Sequence, residues 1–213
     1  TGQISQDLEG EGGRDQFGTD IALSGNGTRI VIGGPLNDGN GSNAGHARVF
    51  ERSGNAWVQL GADLDGEAAD DRFGGAVAIA NDGSRIAVGS YLNDGGGGSS
   101  GHVRVFQWNG SAWQQLGADI DGEPGRGSGW AVDLNGNGSR VVIGGPGVGS
   151  TTGHVKVYEL SGGSWTQLGA THFLADFGKV RAGCPVIDFA GSLPAAIVSL
   201  RCGYTLAPDG RVS

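Results

Sequence analysis

Residues 101–123 read Gly101-His102-Val103-Arg104-Val105-Phe106-Gln107-Trp108-Asn109-Gly110-Ser111-Ala112-Trp113-Gln114-Gln115-Leu116-Gly117-Ala118-Asp119-Ile120-Asp121-Gly122-Glu123. The stretch alternates in side-chain character, turns at Asn-Gly, and alternates again, which is the pattern of a β-hairpin. It also recurs. Gly45-His46, Trp57 and Leu60-Gly61-Ala62-Asp63-Leu64-Asp65-Gly66-Glu67 lie 56 residues upstream, and Gly153-His154, Trp165 and Leu168-Gly169-Ala170 lie 52 downstream. In the last copy Thr171 stands where the other two have Asp63 and Asp119. Phe17-Gly18 returns as Phe73-Gly74 and, altered, as Ser128-Gly129. Self-similarity at a period near fifty residues marks a repeat architecture.

Each copy reads as four short strands. In the second copy they are expected at residues 75–80, 85–88, 102–108 and 112–116. Asn81-Asp82-Gly83 and Asn109-Gly110 supply tight hairpin turns, and the Asp119-to-Glu123 segment is read as the link to the next copy. No stretch sustains a 3.6-residue period, so almost no helix is expected. A four-stranded unit of this size cannot hide both of its faces alone. Copies stacked radially can, so the reading is an all-β, β-propeller-type repeat of four-stranded antiparallel blades, with three clear copies. The copies span about 9–66, 67–122 and 123–170. Residues 1–8 align with the fourth strand of a copy and are read as an outer strand.

Composition narrows the rest. Of 213 residues 45 are Gly and 6 Pro, yet Gly never recurs every third residue, so collagen is excluded. Five Trp and a hydrophobic share of 37% exclude a polar disordered tract. With 22 acidic against 14 basic residues the net charge is −8, which argues against nucleic acid or an anionic membrane as partner. No apolar run is long enough to span a bilayer, so no membrane insertion is expected. The chain opens on Thr1 and has no Met, which fits a processed chain or a fragment.

The pattern Phe17-Gly18 with Gly33-Gly34-Pro35, Phe73-Gly74 with Gly89-Ser90, and Gly144-Gly145-Pro146 resembles the FG-GAP repeat of integrin-α-like β-propellers. Asn37-Asp38-Gly39-Asn40-Gly41, the Gly-His pairs and Trp-x-Gln-Leu-Gly are similar to repeats of secreted or surface proteins. The resemblance covers about residues 3–170 and implies an extracellular or cell-surface propeller. It also implies a calcium loop between strands one and two. Here that place holds Ser24-Gly25-Asn26-Gly27-Thr28, Asn81-Asp82-Gly83-Ser84 and Asn135-Gly136-Asn137-Gly138-Ser139, with too few carboxylates for an oxygen cage. Three copies also fall short of the usual four blades.

Residues 171–213 depart from the repeat and carry both cysteines. Ala175-Asp176-Phe177-Gly178 echoes Asp71-Arg72-Phe73-Gly74, so the tail reads as a divergent fourth blade, as a cap or assembly segment, or as sequence foreign to the repeat. Cys184 and Cys202 are read as a disulfide in an exported chain, worth about 3 kcal/mol on the chain-entropy model, against two unrelated buried thiols.

Candidate chemistry is sparse. Asp63, Asp65 and Glu67, and Asp119, Asp121 and Glu123, are weak calcium candidates, with Glu9 and Glu11 as a fainter first copy. Asn37-Asp38 and Asn93-Asp94 are possible further oxygen donors. His46, His102 and His154 invite a three-His metal site, but equivalent positions on successive blades are spread around a ring. Trp57, Trp113 and Trp165 are expected to pack between blades, whereas Trp108 and Trp130 break the repeat and are candidate ligand contacts. Asn26, Asn40, Asn109 and Asn137 each begin a glycosylation sequon in an expected turn. No catalytic motif is present. The sequence points to a non-enzymatic exported structural or adhesive repeat protein that binds through its loops or assembles with other copies, extracellular proteins or glycans. The alternative is a lectin-like propeller module. No cofactor is required beyond possible Ca2+.

Overall fold

A computed structural model describes residues 7–147, 149 and 151–169. Residues 1–6 of the expected outer strand, the 171–213 tail and the Cys184–Cys202 pairing lie outside the described residues. Among the described residues every regular element is a strand and none is a helix.

The strands form three antiparallel meanders. The first blade runs through β1 (Ile21–Leu23), β2 (Arg29–Gly34), β3 (His46–Ser53), β4 (Ala56–Gln59) and β5 (Leu64–Asp65). The second runs through β6 (Phe73–Ile79), β7 (Arg85–Ser90), β8 (His102–Trp108), β9 (Trp113–Gln115) and β10 (Ile120–Asp121). The third holds β11 (Ala131–Leu134), β12 (Arg140–Gly145), β13 (His154–Ser161) and β14 (Ser164–Leu168). Blades one and two have four strand positions, not five. Both β4 and β5 pair with β3, and both β9 and β10 pair with β8, so each couple is one outer strand with a break. The Asp119-to-Glu123 link expected from sequence is therefore partly strand. Ile120 pairs with Val103 and Asp121 with His102.

The first turn of blade two is also longer than the two-residue hairpin expected. Ala80 N–H donates to Arg85 O (2.9 Å) and Gly83 N–H to Ala80 O (2.9 Å), which closes a four-residue loop. Asp82 Oδ1 accepts from Ser84 N–H at 2.9 Å, and this bond holds the Asp82 carboxyl below the usual carboxylate range.

Alternate residues of each strand face opposite neighbours, so each pair of blades shares one apolar layer. Val31, Ala47 and Val49 of blade one meet Phe73, Val77, Ile86, Val88 and Phe106 of blade two. Ala87, Val103 and Val105 meet Leu134, Val141 and Ile143 of blade three in the same way. The outer strands are tied across the gap as well. Trp113 Nε1–H donates to Leu60 O (2.9 Å), and Trp165 Nε1–H to Leu116 O (2.7 Å). These two tryptophans sit between blades.

At the start of blades two and three the backbone touches that of the blade before. Isolated parallel bridges join Gly45 to Phe73 and Gly101 to Ser128. A Cβ on Gly33 would overlap the Gly74 carbonyl, and one on Gly89 would overlap that of Gly129. The Gly-Gly of one copy therefore receives the Phe-Gly position of the next, and a side chain at the contact would push the two blades apart.

Gly89→Ala isolates this effect, because Gly89 has no positive φ and its only penalty is steric. The substitution is expected to lower unfolding stability by about 3 kcal/mol. Gly98→Ala, with nothing within 4 Å and no positive φ, is expected to stay within about 0.5 kcal/mol. Urea unfolding of the two variants beside the parent measures both.

Candidate metal centre

Strands β3 and β8 each begin with a histidine that follows a positive-φ glycine, Gly45 (φ 80) and Gly101 (φ 67). This bend aims His46 and His102 into the joint with the neighbouring chain, where both are fully buried. The break in the outer strand does the rest. After Gln59 the chain detours through Gly61 before rejoining at Leu64, and the detour carries Asp63 beside His46. Gln115, Gly117 and Asp119 repeat the detour beside His102.

Each aspartate is held by its glutamine. Gln59 Nε2–H donates to Asp63 Oδ1 at 2.6 Å, and Gln115 Nε2–H donates to Asp119 Oδ1 at 2.6 Å. The other oxygen, Oδ2, is left facing the imidazole. It lies 3.7 Å from His46 Nδ1 in blade one and 3.9 Å from His102 Nδ1 in blade two. A glutamate completes each group: Glu11 with His46 and Asp63, and Glu67 with His102 and Asp119, with one donor atom of every member inside 4.8 Å. Glu67 Oε2 and Asp121 Oδ1 both stand 4.0 Å from His102 Nδ1.

The acidic triplets of the sequence are thus divided in space. Asp63 belongs to the group on His46, Glu67 to the group on His102, and Asp65 is exposed on β5. The reason is the turn at Gly66, whose N–H donates to Gly45 O (2.8 Å) as the chain leaves blade one for blade two. The three histidines do not converge either. His46 and His102 each have their own carboxylates, and His154 belongs to neither group.

Charge is arranged around these groups. Burial lowers the pKa of both His46 and His102, outweighing the carboxylates that raise it, so both rings are neutral at pH 7. Two residues on, Arg48 and Arg104 turn toward aromatic faces. Arg104 Cζ lies 4.2 Å from the Phe73 centroid, and Arg48 Cζ lies 5.4 Å from Phe17 and 5.2 Å from Phe50. Arg48 also donates twice to Gln59 Oε1, at 3.1 and 2.7 Å, which fixes the amide that grips Asp63.

Blade three departs from the pattern. Lys156 replaces the arginine, and its Nζ sits 2.9 Å from Glu123 Oε1. That hydrogen bond and charge hold the Glu123 carboxyl below the usual range. His154 Nε2 lies 3.0 Å from Ser128 Oγ.

The remaining candidates are placed as follows. Asp38 Oδ1 accepts from Asn43 N–H (2.7 Å) and Asp94 Oδ1 from Ser99 N–H (2.6 Å), so both shape their own loops. Asn37 and Asn93 donate from Nδ2 to buried Asp15 and Asp71, each at 3.0 Å, a repeated pair that sequence reading missed. Trp108 is half-buried and tilted against Trp113, ring centroids 5.4 Å apart, rather than open to a ligand. Trp130 is 56% exposed and meets Tyr91 edge-on at 4.6 Å. Asn26, Asn109 and Asn137 are exposed. Asn40 is exposed too, but its Nδ2 donates to Gly66 O at 2.7 Å. A shallow cavity of about 220 Å³ between blades two and three is lined by Asp119, Asp121, Tyr158, Ser164 and Trp165 among others.

Residues 10–50 and 63–106 match the FG-GAP repeat family. No curated protein matches the chain. Among solved structures, Kuenenia stuttgartiensis hydrazine synthase aligns with a TM-score of 0.46 at 11% identity, over 76% of this chain and 38% of that one. A structure from a study of two prolyl endopeptidases aligns with a TM-score of 0.44 at 11% identity, over 70% of this chain and 21% of that one. The chain therefore spans well under two thirds of either structure's length.

The buried histidines give stability a pH dependence. Their folded pKa lies below the unfolded value of about 6.5, so below that pH the unfolded chain binds protons that the native chain refuses. Stability is then full above about pH 6.5 and falls as pH drops toward the folded pKa, at up to about 1.4 kcal/mol per pH unit for each histidine. Urea unfolding at pH 7.5, 6 and 5 is expected to show this decline, and His102→Gln is expected to make it shallower.

Proposed function

Residues 10–50 and 63–106 are FG-GAP repeats, and we propose that the chain is a non-enzymatic, exported repeat scaffold that joins blade to blade with other copies of itself. The observation that carries this reading is a difference between equivalent positions. Val155 on β13 is 74% exposed, while its counterpart Val103 on β8 is fully buried against blade three. At the opposite end Ile21 on β1 is 59% exposed, while its counterpart Val77 on β6 is 4% exposed.

The two end faces are the two halves of the joint that already closes twice within the chain. Val132 and Leu134, the counterparts of Ile21 and Leu23, pack in the same layer as Val103 and Val105, the counterparts of Val155 and Val157. Ile21 and Leu23 of one copy therefore have the chemistry to seat on Val155 and Val157 of another. Such a contact is head-to-tail, and it leads to a ring or to a filament according to the angle. Export is supported by the exposed sequon turns at Asn26, Asn109 and Asn137.

A second reading, a lectin-like module, is favoured by one feature. The exposed Trp130 packed on Tyr91 offers an aromatic platform of the kind that stacks on sugar rings. A glycan array that registers binding by the parent chain and not by Trp130→Ala supports it.

Sedimentation velocity across a concentration series tests self-association. The parent is expected to grow beyond the monomer, and Ile21→Glu or Val155→Glu alone to stop growth. An equimolar mixture of the two variants retains one intact face of each kind and is expected to stop at a heterodimer. A parent that stays monomeric at every concentration sinks the reading. Secreted from a glycosylating host, the chain is expected to carry glycans at Asn26, Asn109 and Asn137 and none at Asn40, as peptide mass spectrometry would show.

A further inference from the structure

His46 and His102 are among the largest fully buried side chains of the protein, and the fold gives them little to do. Neither Nδ1 nor Nε2 of His46 has a hydrogen-bond partner, and Nε2 of His102 has none. Burying an unsatisfied polar ring nitrogen costs about 1–3 kcal/mol; His154 Nδ1 is orphaned as well, but only at His46 does an orphaned Nδ1 face a group of carboxylates. The Nδ1 atoms face carboxylate oxygens at 3.7 to 4.0 Å, too far to hydrogen-bond. They are close enough, however, to share an ion.

We propose that Glu11, His46 and Asp63, and likewise Glu67, His102 and Asp119, each bind a divalent transition-metal cation of the zinc class, with water completing the coordination. The donor set selects this class. One imidazole nitrogen among carboxylate oxygens suits zinc and its neighbours, whereas calcium takes six to eight oxygens and rarely a ring nitrogen. Donor atoms around a tetrahedral zinc stand roughly 3.4 Å apart. The histidine–carboxylate distances of 3.7 to 4.0 Å exceed this by about half an ångström, and the widest separation in a group, within 4.8 Å, exceeds it by at most about 1.4 Å, which side-chain rotation closes. The glutamates are on the exposed side, so the groups open to solvent and an ion has an entry path.

Two further features fit. Gln59 and Gln115 hold one oxygen of each aspartate and leave the other facing the ring, the outer-shell orientation that metal ligands require. Binding through Nδ1 leaves the proton of the neutral imidazole on Nε2, which meets no acceptor in either blade. Blade three supplies an internal comparison. Where the sequence has Thr171 in place of the aspartate, an ammonium, Lys156 Nζ, rests on the glutamate at 2.9 Å. In blade two Arg104 Nη1 stands 3.6 Å from Glu67 Oε1, so blade three differs in the closer approach of its cation and in the missing aspartate.

The test is a calorimetric titration of the tag-free, full-length chain with Zn2+ at neutral pH. Co2+ serves as an absorbance probe of coordination and Ca2+ as a competitor. Two Zn2+ ions per chain are expected, one in Asp119→Ala and none in Asp63→Ala/Asp119→Ala. Co2+ is expected to give the intense visible bands of a four-coordinate site, and excess Ca2+ is expected not to displace either metal. Circular dichroism checks that the variants fold. The aspartates are partly exposed and leave the buried rings in place, so the test avoids cutting into the core. A parent that takes up no Zn2+, a double variant that still binds two ions, or displacement of Zn2+ by Ca2+ would each overturn the assignment.

Discussion

The blades can meet only because no side chain stands between them at Gly33 and Gly74, or at Gly89 and Gly129. Everything else in the molecule follows from that approach. With the backbones in contact, the first strands of one blade come within reach of the third strand of the blade before, and a single apolar layer fills the gap. The same approach brings the start of β6 alongside Gly45, and this fixes where His46 enters the joint. The glycine that precedes each histidine and the glycines that receive the next blade belong to one device.

The acid–imidazole groups are a product of that device and of the broken outer strand. A continuous strand from Ala56 to Asp65 would place Asp63 by strict alternation. The detour through Gly61 instead swings it under Gln59 and toward His46. Repetition of the detour at Gly117 gives the same result at Asp119, with the amide–carboxylate distance unchanged. Blade three keeps Gln167 and His154 in sequence but has Thr171 next in register, and there the glutamate is satisfied by a lysine.

Much of this was legible in the sequence because alternation and repeat spacing are local signals. Strand β8 at His102–Trp108 was read with its exact bounds, and the interblade place of Trp113 and Trp165 followed from their occurring once per copy. The outer strand was misjudged because Asp119-Ile120-Asp121-Gly122-Glu123 has the composition of a turn, while its pairing to His102 and Val103 depends on where β8 lies. Asp63 and Glu67 were grouped because they are neighbours along the chain, and the turn at Gly66 sends them to different blades. The histidines and the acids were read as two separate features. Only the cross-strand partnership of His46 with Asp65, and the burial of the ring that follows, puts them in one place. Trp108 was singled out as a candidate ligand contact because it has no counterpart in the other copies, and it stands half-buried against Trp113.

Glu67 sits in the connection out of blade one, yet its partners His102 and Asp119 belong to blade two. A complete ligand group is thus a property of a junction and not of a single module. When such a gene lengthens by tandem duplication of one whole period, wherever the cut falls, each new junction inherits the full set at once. Loss of one aspartate, as at the third copy, silences a single junction and leaves its neighbours intact. A chain of this kind can therefore gain or shed binding capacity one step at a time without redesigning its architecture.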